Sequence, residues 1–91
     1  MNEMDLLIVF HDVMKRLGAT NDHVFVDIDE TMLSLMRHKF GQHIQMKDLH
    51  QLADNCIANE WLERTTADPY YHALSLTDNG LDAVLKHENK N

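Results

Sequence analysis

The sequence predicts an α+β domain that is mostly helical, with an N-terminal helix, a helix-turn-helix-like core, a two-stranded hairpin and a C-terminal helix. Residues 46–80 carry this prediction, because one amphipathic helix leads directly into a short hairpin there. The apolar residues of that helix recur at spacings of three and four, which places them on one face: Leu49, Leu52, Ala53, Cys56 and Ile57. From Trp61 onward the pattern shifts toward alternation, and residues 70–76 supply a partner strand after turn residues at 67–69.

The first helix is predicted from Met4 to about Leu17, with Gly18 as its stop. It is apolar around most of its circumference, and its apolar residues form two overlapping stripes. One stripe holds Leu6, Val9, Phe10, Val13 and Leu17, and the other holds Met4, Leu7, Ile8 and Met14. A small core can cover one of them, so the second needs a partner surface.

The second helix is predicted to start at Asp27, which has Glu30 at capping-box spacing, and to run to Phe40 before Gly41. Residues 24–26 are expected to pack on the core. The last helix is expected to follow Thr77, whose hydroxyl suits an N-cap, with Leu81, Val84 and Leu85 facing inward. Residues 86–91 form a polar tail that is expected to fray.

The chain of 91 residues predicts one domain over residues 1–91, with 44% apolar and 25% charged residues, as in ordinary soluble proteins. The acidic first residues and the short apolar run at 6–10 match neither a signal peptide nor a membrane span, so we expect no membrane association and a cytoplasmic protein. Cys56 is the only cysteine and lies on the apolar stripe, which indicates a buried, inert thiol.

The net charge of −7 opposes DNA binding, because nucleic-acid affinity comes from Lys and Arg that neutralise phosphates. The charge is unevenly distributed, at −5 over residues 1–31, zero over residues 32–64 and −2 over residues 65–91. The half that holds the third helix and the first hairpin strand is therefore neutral. A neutral face permits contact with nucleic acid without predicting it.

The hairpin region resembles a known family. The runs Asn59–Arg64 and Leu76–Gly80 are similar to the wing and following helix of bacterial winged helix-turn-helix regulators, such as the multiple-antibiotic-resistance repressors and the phenolic-acid-decarboxylase regulators. The resemblance covers about residues 29–85 and implies a winged-helix fold. The sequence has Asn59 and Glu60 where a glycine usually precedes the wing strand, and Asp68 where the wing tip is usually basic.

This resemblance implies a small DNA-binding transcription regulator, in which the outward face of the third helix enters the major groove of double-stranded DNA. Arg64 at the base of the wing is expected to contact the DNA backbone. The residues expected to reach bases or phosphates are Lys47, His50, Gln51 and Asn55. The alternative is a winged-helix module that contacts another protein through the same helix and wing, where an acidic surface is useful.

A homodimer through residues 1–18 is expected to cover the second stripe of the first helix and to place two third helices at a spacing suited to DNA. The residues expected at this interface are Leu6, Ile8, Val9, Phe10 and Val13.

Catalytic and metal functions are weaker interpretations. Residues 24–31 resemble the first motif of haloacid-dehalogenase-type phosphotransferases, with Asp27 as nucleophile and Asp29 as acid/base, but the later motifs have no place in the remaining chain. Seven histidines with one buried cysteine show no tight ligand spacing for zinc. Of the adjacent Tyr70 and Tyr71, at least one is expected to pack inward. We therefore expect no enzyme activity, no cofactor and no metal site.

Overall fold

Four helices and one short hairpin form the part of the chain that the computed structural model describes, residues 2–18, 25–65 and 70–89. In chain order the elements are α1 (Glu3–Leu17), α2 (Glu30–Phe40), α3 (Met46–Ala58), β1 (Leu62–Arg64), β2 (Leu74–Leu76) and α4 (Asp78–Asn89). The two strands pair antiparallel. The prediction of a mostly helical α+β fold is therefore confirmed.

Helix α1 is the centre of the core. It contacts α3, α4 and β2, so apolar residues on both of its stripes are covered within one chain. Leu6 and Val9 are 0% exposed and Phe10 is 1% exposed, so these three predicted interface residues lie in the core of the single chain. The physical reason is that α3 and α4 both pack on α1, which covers a wider arc of the helix than one neighbour would. Ile8 and Val13 are only half-buried, and the homodimer itself stays a prediction.

Helix α2 begins later than predicted. Its N-cap is Asp29, whose Oδ1 accepts a hydrogen bond of 3.0 Å from the backbone N–H of Met32. Asp27 instead accepts a 2.7 Å hydrogen bond from the backbone N–H of Ala73, far along the chain, so the capping box at Asp27 was wrong. At the other end of the helix, Lys39 Nζ lies 3.2 Å from Asp12 Oδ2 and links α2 to α1.

The hairpin packs its apolar side chains into the core. Leu62 pairs with Leu76, and Arg64 pairs with Leu74. All three leucines are at most 2% exposed. A further antiparallel bridge joins Val26 to Leu74 on the opposite edge of β2. The predicted turn at residues 67–69 lies outside the described residues.

The segment that precedes α2 departs from its predicted packing. Val26 is half-buried beside β2, but Phe25 is 58% exposed, so its expected place in the core was wrong. Val24 lies outside the described residues. The bridge explains the difference, because adjacent residues of an extended segment point to opposite sides.

Helix α4 starts as predicted, since Thr77 Oγ1 accepts a 2.9 Å hydrogen bond from the backbone N–H of Gly80. The helix continues through Asn89, so residues 86–89 are helical instead of frayed. Val84 is fully buried, whereas Leu85 is 42% exposed and does not face inward as expected. No helix within the described ranges is both long and apolar enough to cross a membrane.

Candidate nucleic-acid interface

The outward face of α3 is the surface to which sequence reasoning assigned DNA contact. The helix begins with a capping box in which the backbone N–H of Gln45 donates to Asp48 Oδ2 at 2.9 Å. It packs on α1, α2 and β1, and its buried residues are Leu49, Leu52, Ala53 and Cys56. The exposed stripe on the other side consists of Lys47, Gln51, Asp54 and Ala58.

Lys47 and Gln51 are therefore accessible, as predicted, from the first two turns of the helix. The Gln51 side chain donates to Asn55 Oδ1 at 3.2 Å, and both groups keep further donors and acceptors. The exposed stripe holds one cation and one carboxylate, so its formal charge is balanced.

His50 and Arg64 belong to a cluster between α3 and the hairpin, which we call the α3–hairpin cluster: His50, Asp54, Arg64 and Tyr71. The His50 and Tyr71 rings stack with centroids 4.0 Å apart and an interplanar angle of 10°. The Tyr71 hydroxyl donates to Asp54, with oxygen distances of 3.0 and 3.1 Å. The Arg64 guanidinium lies 5.2 Å from the centre of the Tyr71 ring.

Arg64 also makes polar contacts. Its Nη1 donates to the carbonyl oxygen of Tyr70 at 2.8 Å, and its Nη2 lies 3.8 Å from Asp54 Oδ1. The pKa of Tyr71 is raised by burial and by the adjacent Asp54 carboxylate, which the Arg64 charge only partly offsets. The phenol therefore stays a neutral donor to Asp54. The cluster holds the loop end of the hairpin against α3.

Asn55 sits on the other flank of α3 and is half-buried. Its Nδ2 donates to Glu3 Oε1 at 3.0 Å, which joins α3 to the start of α1. Of the five residues predicted to contact DNA, the structure leaves Lys47 and Gln51 on the exposed stripe. The other three hold neighbouring elements together.

Sequence reasoning missed the structural role of Tyr71 and Asp54. The expectation that one of the adjacent tyrosines packs inward is confirmed, since Tyr71 is half-buried and Tyr70 is 67% exposed. The spacing of four between His50 and Asp54 places both on one side of α3, which was a usable signal. Their meeting with Tyr71 depends on tertiary packing, which spacing cannot reveal.

The two aspartates of the phosphotransferase-like segment have structural partners. Asp29 caps α2, and Asp27 accepts from Ala73 N, with His72 Nδ1 3.8 Å from the same carboxylate oxygen. The strand pairings within the described residues are antiparallel, whereas that motif needs a parallel sheet. The described residues also contain no group of three His, Cys, Asp or Glu side chains that could hold a metal ion.

Comparisons with protein-family models, with curated proteins and with solved structures found no significant match to this chain.

Proposed function

We propose that this chain is a winged-helix domain that binds double-stranded DNA through α3, as a small transcription regulator. The observation that carries the proposal is the position of α3. It lies at the surface beside the hairpin, and Lys47 and Gln51 are exposed along its first two turns.

The element order supports the winged-helix part of the proposal. A helix, a bridged extended residue, two helices, an antiparallel hairpin and a final helix follow one another along the chain. Val26 bridges to β2 on the edge away from β1, which extends the hairpin toward a third strand. This order is typical of winged helices, in which the third helix is the recognition helix.

The chemistry of the exposed stripe supports contact with base edges more than strong contact with phosphates. The Gln51 amide can offer a donor and an acceptor together, the arrangement that matches the major-groove edge of adenine. Lys47 is the only cation on the stripe, so few counterions would be released on binding. We therefore expect weak, sequence-selective binding with a shallow salt dependence.

The test is a selection of bound sequences from random duplex DNA, at low and moderate salt, followed by titration of one selected duplex. Gln51→Ala should weaken the free energy of binding to that duplex by about 1–3 kcal/mol and should change binding to unrelated DNA little. Lys47→Ala should weaken all sequences alike and lower the salt slope by about one. Lys86→Ala removes the same charge from α4, where Lys86 pairs with Asp82 at 2.9 Å, and should change neither quantity.

A protein-interaction module is the second candidate, and the acidic net charge together with the engagement of Arg64 favours it. The same selection separates the two functions. Absence of sequence enrichment at low salt, with a folded protein, would refute DNA binding. The interaction function would then be the better proposal.

A further inference from the structure

An open groove of about 740 Å³ lies between the end of α3, the hairpin and the first turn of α4. Its volume is in the range of about 300–1,000 Å³ that is usual for ligand sites. Its apolar lining consists of the half-buried Ile57 and of the edges of Leu62 and Leu76, which are at most 2% exposed. Polar and charged residues form the rest of the lining: Glu60, Glu63, Arg64, Thr77, Asp78 and Asn79.

The rim of this groove is acidic. The carboxylates of Glu60, Glu63 and Asp78 line it together with the Arg64 guanidinium. This guanidinium also contacts the Tyr70 carbonyl oxygen and Asp54. Glu60 and Glu63 are exposed, and neither makes an ion pair with any residue in the described ranges. Two exposed carboxylates beside the apolar surface of Ile57 complement a ligand that is both cationic and apolar.

The backbone that carries one of these carboxylates is held in place by hydrogen bonds. Glu60 follows the end of α3 with φ at 63°, in the left-handed region that favours glycine. Its carbonyl oxygen accepts a hydrogen bond from the Thr77 hydroxyl, and the carbonyl of Trp61 accepts from the Thr77 N–H at 3.0 Å. These contacts tie the rim to α4, so the groove exists before any ligand arrives.

We propose that this groove docks a short segment of a partner protein in which an apolar side chain is flanked by Arg or Lys. The apolar side chain packs on Ile57, while the cations meet Glu60 and Glu63. Nucleic acid is a poor occupant, since its phosphates would face the same carboxylates. The groove shares no residue with the exposed stripe of α3, so this inference does not depend on DNA binding.

The experiment is a selection from a random peptide library on the full chain, with counter-selection against the double variant Glu60→Gln and Glu63→Gln. These substitutions remove two charges and keep the side-chain shape. The enriched peptides should carry Arg or Lys beside Leu, Ile or Phe. One synthesised peptide, measured by fluorescence anisotropy, should bind the double variant at least about tenfold more weakly, with a reduced salt dependence.

The matched control is the double variant Glu30→Gln and Asp82→Asn, which removes two exposed charges outside the groove and should bind like wild type. In NMR spectra of the wild-type protein, the amide chemical shifts of Ile57 and Leu76 should change when the peptide is added. The inference is overturned if the enriched peptides lack cations, if both double variants lose binding equally, or if the shifts map elsewhere.

Discussion

Replacing Gly80 with alanine tests how α4 is seated on the hairpin. The Cβ of an alanine would stand 2.2 Å from the carbonyl oxygen of Trp61 and 2.7 Å from Leu76 Cδ1. Leu76 can adjust its terminal methyl group, but the Trp61 carbonyl is backbone and accepts the 3.0 Å hydrogen bond from the Thr77 N–H. The first turn of α4 must therefore move away from the hairpin.

The expected change in the free energy of unfolding has one stabilising and two destabilising contributions. Alanine gains at most about 1 kcal/mol over glycine in a helix, and Gly80 lies in the first turn of α4. Overpacking against a fixed group costs about 1–3 kcal/mol, and weakening the backbone hydrogen bond of Thr77 costs about 1 kcal/mol. We expect Gly80→Ala to lower the free energy of unfolding by about 2 kcal/mol. The Tm should fall by roughly 10 °C for a domain of this size.

Urea denaturation and thermal melting, both followed by circular dichroism, measure this change. Asn79→Ala is the matched control, because Asn79 is exposed in the same turn and its change should stay within about 0.5 kcal/mol. Helix propensity alone predicts the opposite sign for Gly80→Ala. A variant as stable as wild type, or more stable, would refute the close approach of α4 to Trp61.

Two further substitutions and one labelling experiment test other parts of the structure. Glu60→Gly should raise the free energy of unfolding by about 0.5–1 kcal/mol in urea titrations, because glycine relieves the left-handed φ of 63°; a loss of stability would contradict this. Burial, with the nearby Glu3 charge, raises the pKa of Cys56 to about 12, so iodoacetamide at mildly alkaline pH should leave the folded protein unlabelled by mass spectrometry and label it in urea. Burial alone would raise the pKa of Asp12, but the hydrogen bond and charge of Lys39 outweigh it and lower the pKa. Asp12 therefore stabilises the fold above its unfolded pKa, and this stabilisation is lost as pH falls through the lowered folded-state pKa. In urea denaturations at a series of acidic pH values, Asp12→Asn should reduce the loss of unfolding free energy with falling pH by less than about 1 kcal/mol. The same pH dependence in wild type and variant would exclude this contribution.

The helices could be predicted from the sequence because the signals that form them are local. Apolar spacing marks α3, and the hydroxyl of Thr77 marks the start of α4 within three residues of its partner, Gly80. The start of α2 shows where local reasoning stops. Asp27 and Asp29 both suit an N-cap. The Asp27 carboxylate accepts a hydrogen bond from the distant Ala73 N–H, so Asp29 caps the helix.

The role of α1 could not be predicted for a similar reason. Counting apolar residues around a helix shows how much surface needs cover, but not how many neighbours the fold supplies. In the structure α3 and α4 both pack on α1. The apolar excess that predicted a partner chain is largely covered within the monomer, and Leu17 at 66% exposure is the apolar α1 residue that stays most open.

Arg64 belongs both to the acidic groove and to the α3–hairpin cluster. Its contact with Asp54 is long, at 3.8 Å, and the Asp54 side chain is 50% exposed. Exposed ion pairs of this kind contribute about 0–1 kcal/mol, so a DNA phosphate could take the place of Asp54 at little cost to the fold. Asp54 would keep its hydrogen bond from Tyr71. The guanidinium would keep its 2.8 Å hydrogen bond to the Tyr70 carbonyl, but a phosphate at Arg64 would lie close to Asp54 and to the acidic rim of the groove, which oppose it.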